Sequence, residues 1–598
     1  MGLPVLLVPS LRKNGGLGHL VRMMRLALSL KERAYLYLEP KQGVHWSEEE
    51  VQSFFPAFPF KKFLEREPQQ KRWDWVVFDR RETSLEEYRQ LHMHAPTLGL
   101  DEGGEARAYC TYLVDTFPRL TRTLLPNVYN PKFVPIDSWQ GNAQESLERK
   151  KILLAFGGED PLGLTEITLK ALVEHGGFSR EEIDVLLGPA RSRDFKEICS
   201  KRLSSQWESR SYFTQYQWVF TSFGITPYEV IEGGAVPLLV NPTPYHEKLA
   251  RAAGFYSLGV GRVLPQKLSR WKKNPQIALP PWANSENGRK SASFSDYFST
   301  LTLDVSPSCP LCGKIENRAT LRFPNRTYFS CSSCGMEYSL PVGSPKKEYT
   351  ETYFFEEYKN QYGKTYLEDF PSIQKQGLRR LKVLKEYTTL EGKTLLDIGC
   401  ALGPFLTAAQ SEGMIPYGVD ISEEAVRYVQ KKLQIPAVPG DICSLDPATN
   451  FGVRTFDVIS LWYVLEHIPK LGKLLDYLTK VIAPGGWLLF ATPNSRGISA
   501  WVSREEFYRN NPMDHVTLWN PVLAKKILAS YGFILRKVVI PNPHPERFPQ
   551  FVQKILGEKG CKTIEILFKW GDTFEGYAQK ISHDIRGRVI TTSRHPNS

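Results

Sequence analysis

One stretch limits the folds open to this chain more than any other. It runs from Thr394 to Ser422, TLLDIGCALGPFLTAAQSEGMIPYGVDIS. Thr394 to Ile398 is an apolar run too short for a helix, with Asp397 near its end. Gly399 and Gly403 bracket a turn in which the backbone can approach a ligand with no Cβ in the way. Phe405 to Ser411 reads as a helix, and Pro416 to Val419 as a second strand closed by Asp420. An acidic residue about 20 positions after a glycine-rich first turn stands where the ribose hydroxyls of an adenosine cofactor are held. Strand, turn, helix and strand in this order predict an α/β fold with a parallel sheet. A βαβ unit with no cofactor has the same outline, so the downstream segments decide between the two.

Those segments continue the pattern. Ser422 and Glu423 cap a helix running to about Leu433. Ala437 to Ile442 is a strand end that places Asp441 to meet an adenine amino group. Phe456 to Leu461 is a fourth strand, and Trp462 to Ile468 leads from it into a helix. Pro484-Gly485-Gly486 turns into a strand from Trp487 to Ala491, ending at Thr492-Pro493-Asn494. The glycine spacing is G-x-x-x-G, with Asp397 two residues before the first glycine, where a dinucleotide turn would read G-x-G-x-x-G. This set resembles class I S-adenosylmethionine (SAM) methyltransferases of the ubiquinone and sugar types, over residues 345–545. The resemblance implies a Rossmann-like domain with SAM held by Asp397, Gly399, Cys400, Gly403, Asp420, Ile421, Asp441, Ile442 and Leu461. The SAM sulfonium makes its methyl carbon electrophilic, so the protein has to align a nucleophile in line with it. A hydroxyl or carbon acceptor calls for a general base. His467, just past the fourth strand, is one candidate, and His515 in Asp514-His515 is the other; the Glu466-His467 pair can equally be structural.

At 598 residues the chain is too long for one core, so three or four domains are expected. Its net charge of +12 comes from basic residues mixed with acids, and no run forms a polybasic arm. That speaks against a nucleic-acid partner and suits phosphate-bearing substrates or loose contact with anionic lipid equally. The opening apolar run, Pro4 to Val8, is too short and too early for a signal peptide and reads as a strand. No 18-residue apolar run exists, so no transmembrane segment is expected. Five of the nine cysteines are scattered and four sit in two CxxC pairs, a reducing-compartment pattern that predicts a cytoplasmic protein.

The two pairs are Cys309-Pro310-Leu311-Cys312 and, eighteen residues later, Cys331-Ser332-Ser333-Cys334. This spacing predicts a structural Zn2+ held by four thiolates in a zinc ribbon over 307–340. So small a unit needs its metal to fold. Ribbons commonly grip nucleic acid; the resemblance to ribbons that precede sugar methyltransferases implies a role on the substrate side. Tyr353 to Tyr366, rich in aromatics, reads as a cap over the following domain or as a core-covering helix, and Ile373 to Leu390 as a helix.

The first half alternates strands and helices too. Pro4 to Val8 is followed by Gly15-Gly16-Leu17-Gly18-His19 and a helix, an arrangement that favours an anion at the helix N-terminus. Trp75 to Phe78 ends at Asp79. Further strands end at Gly157-Gly158-Glu159-Asp160 and at Ser222-Phe223-Gly224-Ile225-Thr226. GGLGHLVR, ILLAFGGEDPLGLT and VFTSFGITPYEVIEGGAVPLLVNP, in that order, resemble the nucleotide-sugar hydrolase of the pseudaminic acid pathway. That family shares the paired Rossmann domains of GT-B glycosyltransferases. The resemblance covers about 260 residues and implies His19 as catalytic base. It implies nucleotide-sugar contacts from Gly16, Gly18, Gly157, Gly158, Ser222, Gly224, Thr226 and Glu229, the last on the ribose. Phe223 and Ile225 stand where that family has small residues, and His246-Glu247 where it has Asn-Gln.

The expected layout is then GT-B-like subdomains over 1–135 and 150–265, a loosely packed linker over 266–306 and the ribbon. The methyltransferase follows, and then an extension over 546–598 with a helix from Ile564 to Trp570. The expected function is a bifunctional enzyme of bacterial surface-glycan metabolism, acting on a small-molecule sugar or nucleotide-sugar. The rival is a methyltransferase of nucleic acid or protein with a non-catalytic N-terminal docking module.

Overall fold

A computed structural model describes residues 4–13, 15–39, 44–92, 94–120, 124–134, 150–160, 162–188, 201–204, 213–280, 282, 293–303, 306–343, 358–583 and 589–590. The aromatic stretch at 353–357 and the tail from Arg594 lie outside them. The chain divides into two compact units. The first runs to Thr302 and includes Arg322–Thr327, and the second takes Leu303–Leu321 and everything from Tyr328.

The first unit holds two parallel six-stranded sheets. One is built from β1 (Val5–Pro9), β2 (Ala34–Leu36), β3 (Trp75–Asp79), β4 (Thr97–Leu100), β5 (Tyr112–Asp115) and β6 (Val128–Tyr129), in the order β2-β1-β3-β4-β5-β6. The other contains β7 (Lys150–Leu154), β8 (Ile183–Leu187), β9 (Lys201–Ser204), β10 (Tyr216–Thr221), β11 (Val236–Asn241) and β12 (Ser257–Val260). Its order is β12-β11-β10-β7-β8-β9. Every residue of β1 and β3 is buried, which is why these strands read as continuous apolar runs and not as alternating ones. Strand order reverses between β1 and β3 in the first sheet and between β7 and β10 in the second. Ligands of open α/β sheets bind at the carboxyl ends of strands at such reversals.

The segment expected as a loose linker is packed instead. Pro265–Lys273 is a helix whose Leu268 and Trp271 are each 1% exposed and join the core of the second sheet, and Phe294–Ser299 is another with Phe294 fully buried. Abundant Lys, Pro and Asn concealed two apolar residues spaced three apart, enough for one helical face.

The second unit begins with β13 (Arg318–Phe323), β14 (Arg326–Ser330) and β15 (Glu337–Pro341). These form a small sheet closed by β21 (Thr517–Leu518), which pairs antiparallel with β15. The tip of the first hairpin, Arg322–Thr327, belongs to the first unit. The main sheet comprises β16 (Thr394–Ile398), β17 (Ile415–Asp420), β18 (Ala437–Pro439), β19 (Phe456–Trp462), β20 (Ile482–Pro493), β22 (Phe533–Val539) and β23 (Thr573–Lys580). Its order is β18-β17-β16-β19-β20-β23-β22. The first five strands are parallel, and β23 is antiparallel to both its neighbours. The reversal falls between β16 and β19.

Four expectations are corrected here. The sheet does not end at residue 545, because β23 inserts between β20 and β22. It was hidden by its buried Glu575, whose charge is met by Arg380 Nε at 2.9 Å. The segment after β19 forms a short 3-10 turn at Leu465–His467 before the helix Leu471–Val481, not a continuous helix. The helix ahead of β16 starts earlier than expected, spanning Tyr366–Lys385, because Thr365 and Glu368 make a capping box at its N-terminus. The helix expected at 564–570 is the end of a longer one, Gln550–Phe568. No helix among the described residues is long and apolar enough to cross a membrane.

Candidate functional site

In the first unit, the loops after β1, β7 and β10 surround a cavity of about 600 Å³. Gly16, Gly18, His19, Gly157, Gly158, Ser222, Gly224, Thr226 and Glu229 all line it, so the structure brings together every residue expected on nucleotide-sugar grounds. His19 is 5% exposed, and its Nδ1 lies 2.7 Å from Asp79 Oδ1, at the end of β3. A carboxylate at Nδ1 fixes that nitrogen as the donor and leaves Nε2 as the basic one. Asp79 also accepts from Arg22 Nε at 2.8 Å, and Arg22 Nη1 reaches Asp101 Oδ2 at 2.8 Å. Burial opposes the Asp79 charge, yet the Arg22 guanidinium and the His19 ring hold its carboxyl at about 2. His19 follows β1 and Asp79 ends β3, the two strands that flank the reversal in the first sheet, which is how two residues sixty positions apart meet.

Other lining groups differ in kind. Gly16 N donates to Glu159 Oε1 at 3.2 Å, so a carboxylate occupies the N–H of the glycine turn. Glu229 pairs with Arg25. Phe223 packs edge-on against Phe117, ring centroids 5.6 Å apart, and Ile225 lies against Gly18, where a Cβ would come within 2.9 Å of Ile225 Cδ1. Burial, with Arg81 adding, pushes the His246 ring down to about 4, so it stays neutral at pH 7. Glu247 faces the core instead, accepting from Asn241 Nδ2 at 2.8 Å.

In the second unit, the loop after β16 is the turn the sequence indicates. Gly399 has φ +75°, and a Cβ there would lie 2.6 Å from Val464 Cγ2 in the loop after β19. Asp420 ends β17. Its Oδ2 accepts from Ala401 N at 2.8 Å and its Oδ1 from Ser422 N at 2.9 Å. These bonds use two of the roughly four acceptor positions of a carboxylate, and the Ile421 N–H also bears on the group. Ile421, next to it in the chain, is 61% exposed, and Tyr463, in the loop after β19, is 40% exposed with φ +60°. Asp397 is 2% exposed and accepts from Ser460 Oγ at 2.6 Å. Burial pushes its carboxyl up to about 7 even though Ser460 and Arg380 draw it down.

The remaining expected cofactor residues divide. Cys400 is 2% exposed and its side chain packs in the core cluster, so only its backbone can meet a ligand. Gly403 starts the helix Pro404–Ser411 in a left-handed conformation. Asp441 is exposed and caps its own turn, accepting from Cys443 N at 3.0 Å. Ile442 and Leu461 are buried.

The two candidate bases meet. His467 and His515 stack edge to face with ring centroids 4.7 Å apart. His467 Nδ1 is 3.2 Å from the Asp514 carbonyl oxygen, and His515 Nδ1 is 3.2 Å from Asn511 Oδ1. Glu466 joins them, buried and with its carboxyl pushed up to about 8 by burial, Asp514 adding to the rise. His515 is tied to the small sheet as well. Ser339 of β15 donates from Oγ to the His515 carbonyl at 2.8 Å. In that sheet Cys309, Cys312, Cys331 and Cys334 converge, with Sγ–Sγ distances of 3.6 Å for Cys309–Cys334 and 3.5 Å for Cys312–Cys331. Four thiolates around Zn2+ at about 2.3 Å would stand about 3.8 Å apart, so the cluster fits that ion with a small expansion.

Residues 373–538 match a methyltransferase-domain family, so the second unit carries a methyltransferase domain. Among relatives, the chain is 34% identical over 120 residues to a ubiquinone biosynthesis O-methyltransferase of Coxiella burnetii, covering 19% of this chain and 50% of that protein. It is 25% identical over 128 residues to the enzyme of the same name from Hydrogenovibrio crunogenus, covering 21% and 53%. The chain thus spans about half the length of the curated relatives it matches. A SAM-dependent methyltransferase from Archaeoglobus fulgidus aligns in structure with 20% identity and a TM-score of 0.29, over 37% of this chain and 98% of that one.

Sequence reasoning missed the roles of Asp79, Arg22 and Glu466. The first two had a signal, a strand ending in Asp and an arginine three residues after His19. Glu466 was visible only as half of a pair with His467.

Proposed function

We propose that the second unit transfers a methyl group from SAM to a small hydroxylated acceptor of the sugar or nucleotide-sugar type. The observation that carries this reading is the Asp420 carboxylate, drawn to the glycine turn through Ala401 N with acceptor positions left over. The turn suits the cofactor because Gly399 keeps the approach clear where a side chain would collide with Val464. When bound, SAM supplies an electrophilic methyl carbon on a sulfonium. Asp420 would hold its ribose, Asp397 would face its charged end, and His467 and His515 would hold the acceptor and take its proton. The four-cysteine cluster would carry Zn2+ and act at a distance, since β15 pairs with β21 and bonds the His515 backbone.

The first unit, on this reading, is a GT-B-like pair of Rossmann domains that binds a nucleotide sugar, with His19 as base. Convergence of the nine expected residues on one cavity, with His19 oriented by Asp79, supports it. Activity on both halves of one sugar intermediate would explain their fusion in a single chain.

Calorimetry with SAM on the full chain, repeated with Asp420→Ala, tests the central claim. Binding that the substitution abolishes supports it, and no binding by the unaltered protein would remove it. A screen of nucleotide sugars against RNA and protein acceptors then separates the sugar reading from the macromolecular one.

A further inference from the structure

Among the charged groups on the wall of the first-unit cavity, one cation has no counterpart. We propose that Arg81, with His246 beside it, recognises a carboxylate on the sugar, which makes the substrate class of this site a nucleotide-linked sugar acid. The proposal rests on the nucleotide-sugar reading of the first unit and names the kind of sugar that the site selects.

The other charges on this wall are matched. Arg22 is held by Asp79 and Asp101, and Arg25 by Glu229. The carboxylates are engaged too. Glu159 accepts from Gly16 N at 3.2 Å, and Asp160 accepts from Leu164 N at 2.8 Å and Thr165 N at 3.0 Å. Arg81 lines the same cavity, and no carboxylate stands within ion-pair distance of it among the described residues. Its neighbour Arg80 is the contrast, buried and 2.8 Å from Glu39 Oε2. A guanidinium presents a planar fork of donors that a carboxylate matches with two parallel bonds.

His246 adds a donor without a second charge. Burial, with the Arg81 charge adding, keeps its ring neutral at pH 7. Its Nδ1 lies 2.8 Å from Thr243 Oγ1. With that hydroxyl donating to Nδ1, the ring hydrogen is on Nε2, and the N–H can meet a ligand oxygen. Arg81 follows a strand of the first sheet and His246 a strand of the second, so each sheet supplies one donor to the cavity.

Position assigns the anion to the sugar. Arg81 comes two residues after Asp79, which ends β3 and holds the His19 ring. His246 lies in the first turn of the helix Pro244–Ala252, after β11. Most of the residues expected on the nucleotide follow β7 and β10 instead. Arg81 thus shares a strand end with the partner of the base, and the group it meets belongs to the part of the substrate that reacts. A sugar carboxylate brought into the cavity loses water, and Arg81 offsets that loss. A hydroxymethyl group in the same place leaves the guanidinium without a partner, and the difference between the two is the selectivity.

Isothermal titration calorimetry on the full chain compares UDP-glucuronate with UDP-glucose, which carry a carboxylate and a hydroxymethyl group at the same carbon. The unaltered protein should bind the acid at least ~10-fold more tightly, the worth of one charge-assisted pair. Arg81→Ala should abolish that ratio, and Arg81→Lys, which keeps the charge and loses the fork, should restore part of it. Equal binding of the two UDP sugars by the unaltered protein, or a ratio that survives in Arg81→Ala, would overturn the proposal. So would an equal weakening of UDP alone in Arg81→Ala, since Arg81 would then hold the diphosphate. Saturation-transfer NMR with free glucuronate and free glucose keeps the two readings apart. Glucuronate bound through Arg81 by a protein that takes neither UDP nor the UDP sugars would retain the carboxylate site and remove the nucleotide-sugar reading, and no binding of any of these compounds would overturn both.

Discussion

Asp79 holds His19 and Arg22 at once, 2.7 Å from the histidine Nδ1 and 2.8 Å from the arginine Nε, with all three side chains buried. The carboxyl sits at about 2 in the folded chain, below the value of about 3.9 it has when unfolded. The folded state therefore holds that proton more weakly than the unfolded state. The resulting stabilisation, about 2.5 kcal/mol, is fully present above pH ~4 and is lost as pH falls through ~2. Asp79→Asn should lower the stability of the first unit by about 3 kcal/mol at pH 7, because it leaves Arg22 with a weaker partner. It should also flatten the acid limb of the stability profile. Urea unfolding across a pH series checks both, and parallel profiles for the two proteins would contradict the assignment.

His19→Ala separates chemistry from binding in the same cavity. With Nδ1 committed to Asp79, Nε2 would be the proton acceptor on the proposed reading, and its loss should then cut turnover of a nucleotide sugar at least ~100-fold. Affinity for the free nucleotide should change little, since most of the residues expected on the nucleotide, Gly157, Gly158, Ser222, Gly224, Thr226 and Glu229, follow β7 and β10. Unchanged turnover in His19→Ala would favour a docking role for the first unit.

Much of this arrangement was legible in the sequence because strand-order reversals demand recognisable local chemistry. A glycine turn after one strand and an acidic residue after another are short-range signals, and they located Gly399, Asp420, Gly16 and Gly157 without a structure. What was not legible depends on partners distant in sequence. Strand β23 carries Glu575 in its middle and looks polar until Arg380 is known to face it. Trp271 and Leu268 were masked by the lysines around them. The resemblance implied Cys400 at the cofactor, and only packing shows its sulfur buried among Leu and Phe side chains.

Loss of the Zn2+ proposed for the four-cysteine cluster should disturb the other end of its sheet. Cys312→Ser or a strong chelator should release one Zn2+ and loosen β15, which pairs with β21 and bonds the His515 carbonyl through Ser339. The expected result is a fall of at least ~10-fold in methyl-transfer kcat with the Kd for SAM unchanged, because the cofactor residues lie on other strands. Equal losses in both quantities would mean that the cluster supports the whole domain and not the acceptor side.

Asp397 should give the proposed cofactor site a pH dependence of its own. Its carboxyl, pushed up to about 7 by burial, is largely protonated at pH 6 and largely ionised at pH 8. A positively charged cofactor bound beside it requires the ionised form, so SAM should bind about tenfold more weakly at pH 6 than at pH 8. Binding below pH 7 should also release a proton, visible as a calorimetric enthalpy that varies with the buffer. For the unliganded protein the sign is opposite to that at Asp79. The folded chain keeps a proton that the unfolded chain gives up, so stability declines as pH rises from about 4 to about 7 and then levels. Asp397→Asn, which can still accept from Ser460, should remove that decline together with the pH dependence of SAM affinity. If SAM affinity keeps its pH dependence in the variant, another group is responsible, and Asp397 does not face the charged end of the cofactor.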